Sequence, residues 1–135
     1  MADLVITASA IIPVSGFTPY DGTAGATITA GQMCYLDAVT STIKLADADL
    51  SSAGAAVVGM SLHAALASQP LRLIIGGSVG MGAILTAGLF YYLSKTAGGI
   101  CPIADATTCR ISLIGYGTTT SNMSLRITNT DVLVA

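Results

Sequence analysis

Apolar residues fall in short runs, most bounded by Gly, Ser, Thr, Asn or Asp. Ile43-Lys44-Leu45-Ala46, Leu71-Arg72-Leu73-Ile74, Arg110-Ile111-Ser112-Leu113-Ile114 and Met123-Ser124-Leu125-Arg126-Ile127 each show strand-like alternation. A period of two places successive side chains on opposite faces of a sheet, so these runs predict strands. Gln32 to Asp37, Ala56 to Met60, Leu89 to Leu93, Ile100 to Ile103 and Val132 to Val134 are more continuously apolar and predict further short strands, with Pro102 marking an edge or an end. Val39 to Thr42, Ala97-Gly98-Gly99 and Gly117 to Asn122 predict turns. Asp47 to Gly54 reads as a polar loop, and Ser61 to Gln69 as either a single helical turn or a loop. Many short strands separated by turn residues predict an all-β fold, a small β-barrel or β-sandwich.

The pattern occurs nearly twice. Thr29-Ala30-Gly31, Tyr35-Leu36, Ile43 and Ala46-Asp47-Ala48 are answered by Thr86-Ala87-Gly88, Tyr92-Leu93, Ile100 and Ala104-Asp105-Ala106. Further on, Val58-Gly59 is answered by Ile114-Gly115, and Leu71-Arg72-Leu73 by Leu125-Arg126-Ile127. Two tandem pseudo-repeats, about 27–75 and 79–127, are therefore expected within a β domain over 27–135, with loops absorbing the small drift in spacing. Residues 1–26 read differently. Leu4-Val5-Ile6-Thr7 and Ala10-Ile11-Ile12 are brief extended segments, broken off by Pro13, Gly16, Pro19 and Asp21-Gly22. They predict an extended N-terminal arm with little core of its own, ordered against a neighbour.

Leu73 to Ser94 carries no charged side chain and is long enough to span a bilayer as a helix, with Gly76 and Gly80 in GxxxG spacing. The repeat argues for strands instead, because Thr86 to Leu93 matches Thr29 to Leu36, which lies in no such run. No membrane partner is expected. Nor is nucleic acid, since the five basic residues are scattered and the net charge is −2. No Sec-type signal is visible at the start. Charged residues make up only 9 % of the chain, against about a quarter in ordinary domains. So few charges favour a chain that buries surface against neighbouring subunits over a monomer with a Ser/Thr surface. Cys34, Cys101 and Cys109 read as reduced thiols packed as small hydrophobes, the alternative being a Cys101–Cys109 hairpin disulfide.

Catalytic patterns are sparse. Gly59-Met60-Ser61-Leu62-His63 lacks the second glycine of a nucleophile elbow. His63 is the sole histidine and reads as a surface or capping residue. Asp47 and Asp49 lack the ladder and terminal Glu of a calcium loop, and Asp47 and Asp105 read as turn residues. Gly77 to Gly82 has neither GxGxxG nor a following Lys-Ser/Thr, so no phosphate cradle is expected. Tyr35, Phe90, Tyr91, Tyr92 and Tyr116 read as strand residues packing a core, with a carbohydrate platform as the rival. Arg72 and Arg126 are either surface charges or partners for Asp on a neighbour. No enzyme, metal or cofactor is expected.

Thr27-Ile28-Thr29-Ala30-Gly31-Gln32, Tyr35-Leu36-Asp37 and Lys44-Leu45-Ala46-Asp47-Ala48 resemble the head decoration (capsid cement) proteins of tailed bacteriophages. Leu85-Thr86-Ala87-Gly88, Tyr92-Leu93-Ser94, Gly98-Gly99-Ile100-Cys101-Pro102 and Leu113-Ile114-Gly115 follow the same pattern, so the resemblance runs from about Gly22 to Ile127. It implies a non-enzymatic virion protein made in the host cytoplasm. Such a protein binds the outer surface of the expanded capsid, often as a homotrimer, and clamps neighbouring copies of the major capsid protein. The interface residues expected on this reading are Leu4, Val5, Ile6, Ile11 and Ile12 of the arm, with Arg72 and Arg126. The rival reading is a phage fibre or receptor-binding module that holds glycans with loop aromatics.

Overall fold

A computed structural model describes residues 3–48, 54–102 and 110–133. They form one antiparallel sheet, curled into a half-barrel, with no α-helix among the described residues. A single 3-10 turn, Ala8–Ala10, precedes strands β1 (Ile12–Thr23), β2 (Met33–Asp37), β3 (Thr42–Leu45), β4 (Gly59–Ser61) and β5 (Pro70–Gly80). Then come β6 (Phe90–Leu93), β7 (Ile100–Pro102), β8 (Arg110–Gly117) and β9 (Asn122–Leu133). Across the sheet the order is β3-β2-β4-β5-β9-β8-β6-β7, and β1 also pairs with β5. The uncharged run from Leu73 to Ser94 is divided among β5, a connecting segment and β6, and no helix among the described residues is long and apolar enough to cross a membrane. Residues 62–69 form a loop closed by turns, without a helix.

The order β3-β2-β4-β5 in one half runs in the same sense as β7-β6-β8-β9 in the other. Cys34↔Leu45, Tyr35↔Lys44 and Leu36↔Ile43 in the first hairpin correspond to Tyr91↔Pro102, Tyr92↔Cys101 and Leu93↔Ile100 in the second. The two Thr-Ala-Gly turns also match. Gly31 and Gly88 both adopt positive φ, 87° and 80°, and donate to the carbonyls of Ser61 and Gly117. Glycine adopts this left-handed conformation at little steric cost. The match then slips: Met60 pairs with Ile74, and its counterpart Tyr116 pairs with Ser124. That ladder correspondence lies four residues away from the one the Leu-Arg motif predicts, because residues 62–69 form a longer connection than residues 118–121. Arg72 and Arg126 are thus not at equivalent ladder positions.

The main core lines the inside of the curl. Met33, Met60, Ile74, Val79, Tyr91, Leu93, Ile100, Ile114, Met123 and Leu125 are all buried there. A smaller core lies against the other face of the first half, where Cys34, Ile43, Leu71 and Leu73 meet Ala24, Ile28 and Ala65. The chain over 24–28 forms this cover and is held by backbone bonds. Gly25 donates to Ile43 (2.7 Å), Ala24 donates to Gln69 (2.9 Å), and Ile28 and Ala65 exchange bonds of 2.9 Å. Both faces of the first half are therefore buried, while the second half buries one. The faces are also exchanged. The cross-strand pair Met33↔Met60 points into the main core, whereas its counterpart Phe90↔Tyr116 lies on the outside.

The N-terminal residues are integrated with this body. Leu4 and Ile6 pack against the main core, and Ile11 is buried in it. Leu4 donates to the Ile100 carbonyl (2.8 Å), covering the open edge of β7, and the Asp3 carboxylate accepts from Ser94 Oγ (2.6 Å). Ile12–Thr23, most of it expected as breaks in an extended arm over 1–26, instead runs along β5. Pro13, Gly16 and Pro19 are accommodated because β1 pairs only with β5 and its register shifts at three places. Across the mouth of the curl, Gly98 donates to Ala46 (2.7 Å) and Ala48 to Ser94 (3.1 Å). The Asn129 side chain bonds both the N–H and the carbonyl of Val57, each at 2.9 Å, as a neighbouring strand would.

Candidate interaction surface

No cluster of three or more metal-ligating side chains occurs among the described residues. Asp47 donates its N–H to the Gly54 carbonyl (2.9 Å), while Asp49 and Asp105 lie outside the described residues. Cys109 does as well, and with it the Cys101–Cys109 alternative. Cys34 is buried, and burial pushes its thiol up to about 12, so it stays protonated at neutral pH. His63 Nε2 accepts from the Arg72 N–H (3.1 Å), and Nδ1 lies 3.0 Å from the Ala64 carbonyl, so Nδ1 carries the proton and both ring nitrogens meet backbone. The ring thereby ties the 62–69 loop to β5.

Beside it, Arg72 makes a two-pronged bond with the Asp21 carboxylate, at 2.6 and 3.0 Å, joining β5 to β1. A shallow concavity of about 420 Å³ is lined by Asp21, His63 and Arg72. Lys44 and Asp37 also form an ion pair, at 2.8 Å, across the β2–β3 hairpin. The bond from Arg72 holds the Asp21 carboxyl below its ordinary value, and the bond from Lys44 does the same for Asp37. A carboxyl lowered in the folded state stabilises the fold above its unfolded value near pH 4, and that contribution disappears as pH falls through the folded value. Solvent screens both pairs, so the effect is modest. Stability measured by urea unfolding is expected to decline below about pH 4. The double variant Asp21→Asn, Asp37→Asn should flatten that decline, and an acid limb identical to wild type would exclude these two groups as its source.

The seven expected interface residues do not form one patch. Leu4, Ile6 and Ile11 face inward, Arg72 is tied to Asp21, and Val5, Ile12 and Arg126 face solvent. Val5 is 84 % exposed and Ile12 59 %. Val14, Phe17 and Phe90, which sequence reasoning did not place at an interface, are also exposed. Four of these apolar side chains lie in the first 17 residues, which contain one charged residue, Asp3. Among the aromatics, Tyr91 is in the core and its hydroxyl accepts from the Thr86 N–H (2.8 Å). Tyr35 packs against the same core, whereas Tyr92 and Tyr116 are half-buried on the outer side. Phe90 and Tyr116 meet edge to face, with centroids 5.9 Å apart and planes at 69°.

No protein-family model matches this chain, and no curated protein matches it.

Proposed function

We propose that this chain is a structural virion protein that binds the outer surface of an expanded phage capsid and stabilises it by clamping neighbouring major capsid subunits. The observation that carries the reading is the set of large apolar side chains left in solvent among the described residues, Val5, Ile12, Val14, Phe17, Leu36, Val39, Leu66 and Phe90. Exposed apolar area on a chain with so few charges is the property of a surface that another protein covers. The resemblance to head decoration proteins supplies the identity of that other protein. A ligand that binds only the expanded lattice stabilises it by mass action, so the role needs affinity and rigidity and no catalytic group. The curled sheet supplies the rigidity. Self-association into a homotrimer and residence on the virion belong to the same proposal.

The test is the copy number of this chain in purified phage particles that encode it, by quantitative mass spectrometry against the major capsid protein. Near parity is expected. A handful of copies per particle would replace the lattice-wide cement with a fibre or vertex component, and absence from the particle would overturn the virion reading.

A further inference from the structure

Strand β4 stops at Ser61, where Met60 pairs with Ile74 and Ser61 with Leu73 of β5. The next rung is half made by backbone, the Leu62 N–H donating to the Arg72 carbonyl at 3.1 Å. Its other half is made by a side chain, because the Arg72 N–H donates to Nε2 of His63 at 3.1 Å. A backbone N–H donates and never accepts, so this bond exists only while Nε2 carries no proton. Nδ1 then holds the single proton of the ring and donates it to the Ala64 carbonyl at 3.0 Å. Imidazole is the side chain that ordinarily changes charge between about pH 5 and pH 8. A titratable ring therefore completes the ladder between the loop and β5, in reach of solvent, since His63 and Arg72 are both exposed.

Two charged groups face the ring. Asp21 of β1 and Arg72 of β5 line the same concavity as His63. Tyr20 packs against the smaller core instead, and neither the 62–69 loop nor the covering segment 24–28 carries another titratable side chain. The two-pronged bond from Arg72 keeps Asp21 ionised throughout the imidazole range. The Asp21 side chain is 65 % exposed, so the carboxylate lone pairs that Arg72 does not use stay open to a further donor.

We infer that His63 is a proton-operated latch: when Nε2 takes a proton from solvent, the ring leaves the Arg72 N–H and turns to the Asp21 carboxylate, and the 63–64 corner of the loop comes away from β5. Two N–H donors cannot share a 3.1 Å contact, so protonation and the latched geometry exclude each other. The Asp21 carboxylate on the same concavity gives the imidazolium a partner of opposite charge. Latched, the concavity carries the balanced pair of Asp21 and Arg72; unlatched, it carries one positive charge in excess. The opening is local. Ile28 and Ala65 exchange two backbone bonds and Ser68 donates to the Ala24 carbonyl at 2.7 Å, none of them through a titratable group, so the cover of the smaller core stays shut.

The test is NMR of the full isotope-labelled chain at about pH 8 and about pH 5, with His63→Gln and His63→Ala alongside. Ring-nitrogen shifts read the tautomer, and amide exchange, corrected for its intrinsic pH dependence, reads the ladder. At the higher pH the proton is expected on Nδ1. At the lower pH the protection of the Arg72 amide is expected to fall about threefold to tenfold, the worth of one hydrogen bond, while the Ile28 and Ala65 amides keep theirs. Through-space contacts from the ring to Asp21 should strengthen in step. Neither variant titrates at this position, so in both the Arg72 amide should lose its pH dependence. A proton on Nε2 at the higher pH, an Arg72 amide equally protected at both, or the same fall in the variants would each overturn the latch. A parallel loss at Ile28 and Ala65 would replace it with wider unfolding, and a ring that leaves Arg72 without nearing Asp21 would overturn its destination.

Discussion

Gly115→Ala is expected to destabilise the fold by about 3 kcal/mol, the upper part of the range for overpacking a buried site. Gly115 sits where three strands run side by side, paired with Tyr91 of β6 and with Leu125 of β9. A Cβ there would drive into the Ser124 carbonyl oxygen, and Leu125 Cα would be only 3.1 Å away. Both obstacles are backbone, so neither can swing aside as the tip of a long side chain would. Relief requires β8 and β9 to separate at the centre of the sheet. Gly76→Ala supplies the contrast on the same sheet. Nothing lies within 4 Å of its Cβ position, and its φ is not positive. That change should be neutral or stabilising by up to about 1 kcal/mol, through the reduced freedom of the unfolded chain. Urea unfolding at one fixed protein concentration reads both. Equal midpoints for the two variants would mean that β8 and β9 are not packed as described.

The strands themselves were legible because a half-buried strand writes a period of two into the sequence. β2, β3, β6, β8 and the start of β9 fall where alternation or a bounded apolar run places them. β1 was not legible. Pro13, Gly16 and Pro19 look like breaks, yet a strand with one partner tolerates prolines at positions that donate no ladder bond, and bulges absorb the misfit. β5 also runs further than its alternation, through Gly76 and Gly77, because β1 lies so close there that a side chain on Gly77 would strike the backbone of Gly16 and Phe17.

Sidedness was the larger omission. Alternation says which residues share a face, and says nothing of which face meets which. Matching Tyr35 to Tyr92 put both in a core, but the halves pack with opposite faces, so Tyr91 is the buried ring and Tyr92 lies outside. The Asn129 clamp on Val57 joins residues 72 apart and leaves no local signal. For the candidate surface, Arg126 and Ile12 were named from sequence. Phe90 and Val14 were not, since only the register places them on the open side.

The exchange of faces makes a second strong prediction at Tyr91. The ring is 2 % exposed and lies on the inner face, so Tyr91→Ala removes a large side chain from the middle of the core. Truncating a buried aromatic costs about 3–5 kcal/mol, from lost transfer energy plus the cavity left behind. The β6 strand that carries it has only four residues, which leaves few neighbouring contacts to compensate. Tyr91→Phe keeps the ring and removes one hydrogen bond, for about 0.5–1.5 kcal/mol, because Thr86 is exposed and water can replace the lost acceptor. The neighbouring ring supplies the control. Tyr92→Ala, half-buried on the outer face, should cost clearly less than Tyr91→Ala. The ranking Tyr91→Ala, Tyr91→Phe, then wild type is expected in urea midpoints, with m-values unchanged. Were Tyr92→Ala the more damaging of the two alanine variants, the second half would face the core the other way round, and Phe90 and Tyr116 would belong to the interior.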